Sequence, residues 1–279
     1  MAGMLYICAT PIGNLEDITL RTLRVLKEVD LIAAEDTRHS IKLMNHFEIT
    51  TPMTSYHEFN KYDKAKVLVE KMLEGTDIAL ITDAGTPAIS DPGEELVRQC
   101  LEVGIEVTSL PGPSAFVTAL TLSGKKTRRF CFEAFLPYDK KEREEVLAEL
   151  KKETRTILLY EAPHKLKKTL ADLYEVLGDR PVSIVKELTK KHETNLRTTI
   201  GKAITYYEEE DPRGEYVLVI EGADREILKE EAMQPFLKMT VPEHVQYYID
   251  RGMDKKSAMK QVAKDRGVGK REIYQALLG

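Results

Sequence analysis

The sequence predicts an α/β fold with a mainly parallel first sheet, a second α/β domain and a small helical C-terminal extension. Three observations carry that reading. Short apolar runs alternate with helix-like stretches through the first 123 residues, and such alternation builds a mainly parallel sheet covered by helices. Several of those runs end in loops rich in Gly, Pro, Asp and small hydroxyl residues. The last segment is basic and resumes a helical spacing after a Gly-containing break.

The elements follow in order. Residues 4–9 read as a buried strand, 17–28 as a helix, 31–35 as a strand, and 39–47 and 61–74 as helices. A short apolar strand follows at 77–82, a helix at 94–103, a strand at 106–110 and a helix at 114–122. A hinge at 124–129 opens the second domain, with strand-like runs at 130–135, 156–160, 182–186 and 216–220. Helices are expected at 140–151, 165–177 and 202–209. The acidic stretch 221–231 reads as a linker. Residues 257–264 are amphipathic, Arg266-Gly267-Val268-Gly269 breaks the pattern, and 270–278 resumes it. With Ala263, Val268 and Ile273 as core positions, this tail is similar to a helix-turn-helix unit. The expected division is 1–123, 124–225 and 226–279.

The richest loop is Asp83-Ala84-Gly85-Thr86-Pro87-Ala88-Ile89-Ser90-Asp91-Pro92-Gly93, at the carboxyl end of the 77–82 run. Thr10-Pro11-Ile12-Gly13-Asn14 and Pro111-Gly112-Pro113-Ser114 occupy the same place after their own strands. Open α/β sheets bind ligands outside those strand ends, so the three loops point to one cleft. No G-x-G-x-x-G follows the first strand, which leaves a dinucleotide site without support, and no G-x-x-x-x-G-K-[ST] is present. The first two loops carry no Lys or Arg. A zwitterionic or cationic ligand with a sugar and an amino group suits Asp83 and the neighbouring carbonyls better than a triphosphate.

At these residues the chain resembles the tetrapyrrole methylase superfamily, and within it the ribosomal RNA small subunit methyltransferase I family. The resemblance rests on 9–19, on Ala34-Glu35-Asp36-Thr37-Arg38, on 83–93 and on Pro111-Gly112-Pro113-Ser114-Ala115. It continues through 130–137, Tyr160-Glu161-Ala162-Pro163-His164-Lys165 and Lys186-Glu187-Leu188-Thr189-Lys190, and runs from about Leu5 to Gly222. Ala134 departs from the pattern, which has Gly before Phe-Leu-Pro. The resemblance implies a two-domain tetrapyrrole-methylase-like fold and S-adenosylmethionine-dependent 2′-O-methylation of a cytidine in the decoding region of 16S rRNA, within the 30S subunit. It also implies a homodimer. The cofactor residues it implies are Pro11, Ile12, Gly13, Asp83, Ala84, Gly85, Thr86, Pro87, Ile89, Ser90, Ser114 and Ala115 from the first domain. From the second they are Tyr160, Glu161, Ala162 and Leu218.

Composition agrees with a cytoplasmic enzyme. The chain has 279 residues, enough for about two domains. Cys8, Cys100 and Cys131 are odd in number and widely spaced, as expected of reduced thiols. No apolar run approaches membrane-spanning length, the N-terminal stretch lacks a signal-peptide pattern, and no metal-ligand spacing is present. The net charge is −5, yet 251–279 holds eight Lys and Arg against three acidic residues. Arg128, Arg129, Lys165, Lys186 and Lys190 border the signature runs, Arg38 lies within one, and Lys260, Lys264, Lys270 and Arg271 lie in the tail. These are the expected RNA phosphate contacts; most basic clusters are otherwise solvated helix faces.

Methyl transfer to a ribose hydroxyl needs in-line alignment and is helped by a base. Candidate catalytic residues are Glu35, Asp36, Glu161, Glu187 and Lys190, with His192 as a further base. Asp36 with Arg38, and Glu161 with Lys165, are equally readable as ion pairs. Glu187 is readable as an anchor for Lys190. His39, His46, His57 and His244 read as surface or packing residues, while His164 opens a helix beside the cleft. Two other function classes stay open: a C-methylase of a corrin-type ring, disfavoured by the cations beside the second-domain runs, and a non-catalytic ribosome-binding module. Asp83, Gly85 and Pro87 are all present, which argues against the latter.

Overall fold

The computed structural model describes residues 2–278 and forms two compact units, Met1–Leu150 with Arg155–Glu221, and Lys151–Thr154 with Gly222–Gly279. The first unit holds two sheets. In the first sheet, β1 (Leu5–Cys8), β2 (Leu31–Ala34), β3 (Met53–Ser55), β4 (Ile78–Ile81) and β5 (Val107–Leu110) are ordered β3-β2-β4-β1-β5. Every pairing in it is parallel. The central strand β4 is buried at all four positions, which is why it reads as an unbroken apolar run. Ile78 and Leu80 face one core with Leu5, Leu68, Met72 and Leu96, while Ala79 and Ile81 face another with Val25, Leu26 and Met44. The covering helices are α1 (Leu20–Glu28) and α2 (Thr37–His46) on one face, and α3 (Lys61–Leu73) and α4 (Gly93–Glu102) on the other.

The helix that follows, α5 (Ala115–Ser123), couples the sheets. Its Ala119 and Leu120 pack with Ile12 of the first loop against Leu158, Val185, Val217 and Val219 of the second sheet. That sheet comprises β6 (Phe130–Phe132), β7 (Thr156–Glu161), β8 (Pro181–Lys186), β9 (Thr194–Thr199) and β10 (Tyr216–Ile220), ordered β6-β7-β10-β8-β9. Only β6 and β7 run parallel; the other neighbours are antiparallel. Its far face packs under α6 (Lys140–Lys151), α7 (Pro163–Leu177) and α8 (Ile200–Glu209), with Leu166, Leu170, Ile184 and Leu218 in that core.

Several expectations change. Short, half-buried β3 and polar β9 gave no apolar run and were not expected. The strand expected over 130–135 stops at Phe132, because Ala134 turns the chain with φ +52°. The stretch read as a linker is largely helix: α9 (Arg225–Leu237) starts on Asp224, whose side chain accepts the Glu226 N–H. Next comes α10 (Val241–Ile249), opened by a reciprocal Thr240–Glu243 capping box. With α11 (Lys255–Asp265) and α12 (Lys270–Ala276) it encloses Val245, Ala258, Val262, Ala263 and Ile273. Val268, expected in that core, is exposed in the turn. His244 is fully buried there, with its ring stacked on Phe236 at 4.3 Å. Among the described residues no helix is long and apolar enough to cross a membrane.

Candidate active site

Three strand-end loops of the first sheet lock to one another. Thr10 and Gly85 exchange backbone hydrogen bonds of 2.9 and 3.0 Å, and the Thr10 hydroxyl donates to the Thr82 carbonyl at 3.0 Å. Thr86 donates its hydroxyl to the Pro113 carbonyl at 2.9 Å. Gly85 has φ +90°, a backbone conformation that favours glycine. Ala88 and Ser90 also have positive φ, and Asp91 stabilises the turn by accepting the N–H groups of Ala88 and Gly93 at 2.9 and 2.7 Å. Burial raises the Asp91 pKa despite those bonds.

A cavity of about 530 Å³ opens between these loops and the near face of the second sheet. Ile12, Ala84, Gly85, Thr86, Ile89, Ser90, Ser114 and Ala115 line it from the first side, and Tyr160, Glu161 and Ala162 from the second. Pro11, Gly13 and Asp83 instead line an adjoining lobe of about 400 Å³, which shares Ile12, Thr82, Ala84 and Glu215 with the larger one. Pro87 is buried beneath the loop and lines neither lobe. The cleft position expected of Leu218 belongs to Val217: strand alternation turns Leu218 into the opposite core.

The carboxylates divide by environment. Glu35 lines the larger lobe and accepts the Thr82 hydroxyl at 2.6 Å. Asp36 caps α2 and binds Arg38 through both oxygens, at 3.1 and 2.8 Å; the side-chain bond to Arg38 holds its carboxyl down at about 2. Glu161 is buried, with its oxygens accepting from the Ala162 N–H at 2.8 Å and from the Thr169 hydroxyl. The same Thr169 accepts from Arg143, so Glu161 is pinned rather than paired with Lys165. Partial desolvation raises the Asp83 pKa, and the nearby Glu35 adds to the shift.

Glu187 has φ +53° and lines neither lobe. Its Oε1 accepts from Lys190 Nζ and from the Glu215 N–H, both at 3.0 Å. Desolvation pushes its pKa up, but the Lys190 ammonium and the Glu215 N–H outweigh that and hold it below the usual carboxylate value. Lys190 also meets Glu215 Oε2 at 2.9 Å and does line the smaller lobe. Of the remaining cations, Arg128 and Arg129 are exposed and Lys186 is half-buried at the end of β8. The Lys165 ammonium sits 3.0 Å over the Tyr138 ring. Lys260 and Lys264 on α11, and Lys270 and Arg271 on α12, are exposed in the second unit.

Some lining residues carried no signal in the sequence. Phe116, Glu215 and Val217 complete the larger lobe with Phe135, and His164, expected beside the cleft, lines it too. His39 and His46, read as surface or packing residues, line the smaller lobe from α2 together with Lys42. A helical periodicity count could have grouped them.

The profile of the tetrapyrrole (corrin/porphyrin) methylases matches residues 4–204. Relatives named ribosomal RNA small subunit methyltransferase I are 50% identical over 98% of this chain and 93% of the protein from Halalkalibacterium halodurans, and 48% identical over 98% of this chain and 94% of the protein from Bacillus subtilis. Among solved structures, a cobalamin biosynthetic cobalt precorrin-4 methyltransferase superposes with a TM-score of 0.57 at 20% identity, over 77% of this chain and 94% of that one. At that identity the likeness shows the fold. The cofactor is S-adenosylmethionine, and the larger lobe fits it. Its lining combines aromatic and aliphatic walls with four carboxylates and, among the described residues, no Lys or Arg, which suits a sulfonium cation. On sequence, fold and site together, the chain belongs to the ribosomal RNA small subunit methyltransferase I family of the tetrapyrrole methylases.

Proposed function

We propose that this chain methylates the 2′-hydroxyl of a cytidine in the decoding region of 16S rRNA, acting in the cytoplasm as a homodimer on the 30S subunit. The observation that carries the reading is the pair of adjoining lobes, one fitted to the methyl donor and one lined by His39, Lys42, His46 and Lys190, in a chain about half identical to rRNA methyltransferases.

S-Adenosylmethionine supplies an electrophilic methyl group on a sulfonium. The residues that would hold it are the backbone around Gly85 and Thr86, the hydroxyl of Ser114, and the walls formed by Ile12, Tyr160, Ala162 and Val217. Phe116, Phe135 and Tyr160 would give that lobe an aromatic wall for the donor to pack against. Glu35, held by Thr82, places negative charge beside the cation. In the adjoining lobe, beside the shared Ala84, Asp83 offers a carboxylate whose raised pKa suits it to accept the hydroxyl proton better than Asp36 or Glu187, both held low by their cations. Glu187 acts as a positioning residue for Lys190. Arg128, Arg129, Lys165, Lys186 and Lys190 supply RNA phosphate contacts from the first unit, and Arg38 lies on the same unit. Lys260, Lys264, Lys270 and Arg271 do so from the second.

The test is incorporation of labelled methyl from S-adenosylmethionine into 30S subunits with an unmethylated decoding region, followed by nuclease digestion and mass spectrometry. Recovery of 2′-O-methylcytidine from that region supports the reading. A base-methylated product, or methylation of naked RNA but not of subunits, overturns it.

A further inference from the structure

The two lobes differ in the charged groups that line them. The larger one has carboxylates and, among the described residues, neither Lys nor Arg in its lining, so it draws a cation. The smaller lobe is lined by acidic and basic groups together. Glu215 borders both lobes and Asp83 lines this one beside the shared Ala84, and the oxygens of both can accept hydrogen bonds from sugar hydroxyls. Asp83 lies at the N-terminal end of α2, where its Oδ1 accepts the Asp36 N–H at 3.3 Å, and α2 residues 37–46 contain no Asp or Glu. His39, Lys42 and His46 recur there at intervals of three and four residues, which stacks them along one helix face.

Lys42 differs from the other cations near the cleft. Arg38 is paired with Asp36, and Lys190 is held between Glu187 and Glu215. Among the described residues Lys42 has no carboxylate within ion-pair distance, although it borders a cavity of about 400 Å³. An uncompensated cation and two imidazoles, lining one cavity with hydroxyl-accepting carboxylates, match a unit that carries both a sugar and a phosphate. The lobe is also continuous with the methyl-donor lobe through Ile12, Thr82 and Ala84, so a sugar at the junction would face the donor.

We propose that the smaller lobe receives the target nucleotide, with its ribose against Asp83 and Glu215 and its flanking phosphate against Lys42 and His46, an assignment that rests on the methyl-transfer reading above. Lys42 and His46 are therefore substrate-binding residues.

The experiment uses the full chain, 30S subunits with an unmethylated decoding region, and the variants Lys42→Ala, Lys42→Arg and Lys42→Ala/His46→Ala. Lys71→Ala on α3 serves as a control for general charge, since it lies beyond the opposite end of the first sheet, before β4 begins. Three quantities are read: S-adenosylmethionine affinity by calorimetry, steady-state methylation, and the salt dependence of 30S binding. Lys42→Ala is expected to raise KM for the subunit roughly five- to tenfold, with kcat within about twofold and cofactor affinity unchanged. Its log K against log [salt] should lose a slope of roughly 0.7–0.9. Lys42→Arg should restore most of the loss, and Lys71→Ala should show none of it. Parent-like KM and salt slope in Lys42→Ala and in the double variant, while the parent methylates 30S subunits, overturn the nucleotide assignment and leave the methyl-transfer reading standing. A parent unable to methylate the subunit overturns both. Equal losses in Lys42→Ala and Lys71→Ala also overturn the assignment, because they would report net charge alone.

Discussion

A Cβ on Gly13 would lie 2.5 Å from Cγ of Lys190, and 2.8 Å from both the Leu188 carbonyl and the Thr189 hydroxyl. The first loop of the chain therefore presses directly on the 187–190 loop of the second sheet, and that contact closes one side of the smaller lobe. Gly13→Ala should force the loops apart. We expect a stability loss of roughly 1–3 kcal/mol by denaturant titration, the usual range for overpacking, together with reduced turnover. A fully stable and fully active Gly13→Ala protein would show that the loops separate without consequence.

Glu187 and Lys190 should separate in kinetics. Because the Glu187 carboxylate is engaged by Lys190 and the Glu215 N–H, Glu187→Gln should lower kcat by no more than about threefold. A positioned base typically contributes roughly 100-fold or more, so a loss of that size would return Glu187 to the catalytic role. Lys190→Ala should instead raise KM for the ribosomal subunit.

Ala134 sits at φ +52°. A left-handed conformation costs an L-residue about 1–2 kcal/mol, partly offset in a glycine variant by its freer unfolded chain. Ala134→Gly should therefore raise stability by up to about 1 kcal/mol, read as a higher Tm, and Ala134→Val should lower it. Reversal of that order would mean the turn is held by contacts rather than limited by strain.

Thr169 joins the buried Glu161 to Arg143, which also binds Asp172 at 2.8 Å. Thr169→Val removes the hydroxyl that satisfies one Glu161 oxygen. Leaving a buried carboxylate oxygen short of a donor costs about 1–3 kcal/mol or more. Since Glu161 also accepts the Ala162 N–H at the wall of the donor lobe, cofactor affinity should fall with stability. Calorimetry with S-adenosylmethionine and a thermal melt check both.

In the second unit, Arg266 Nε donates to His244 Nδ1 at 3.2 Å, which places the ring proton on Nε2. Burial lowers the His244 pKa, and Arg266 adds to the shift, so the unfolded chain takes up its proton first. The sign follows: this group's stabilisation is full above the unfolded value near 6.5 and is lost as pH falls below it. Hydrogen exchange of α10 and α11 amides, corrected for intrinsic rates, should report lower protection at pH 5.5 than at 7.5. His244→Phe, which keeps the stack on Phe236, should remove most of that difference.

The parallel sheet and the three loops were legible because β1, β4 and β5 end in Gly, Pro and Asp clusters, and two of them are apolar throughout. Two strands left no such trace: β3 is three half-buried residues, and β9 carries Thr, Asn and Arg because it is a sheet edge. The acidic composition of 221–231 suggested a linker, yet Asp224 capping the Glu226 N–H starts a helix whose charged face needs no core. The division of the cleft into two lobes was not legible, since Asp83 and Ala84 are adjacent in sequence while only Ala84 borders both. Nor could the sequence say which side of α2 the sheet covers. Met44 is buried in the core, while His39, Ser40, Lys42, Leu43 and His46 line the cavity.

The position of β1 has a consequence for biosynthesis. Leu5 leaves the ribosome first, but its partners on either side are Ile78 and Val107. At roughly 5–20 residues per second, a nascent chain takes on the order of 5–20 seconds to supply both. During that interval an apolar strand waits without hydrogen-bonding neighbours, and the loop that will touch Lys190 has nothing to touch. Translation speed between the codons for Leu5 and Val107 thus sets how long the strand is open to chaperones or to misplaced pairing.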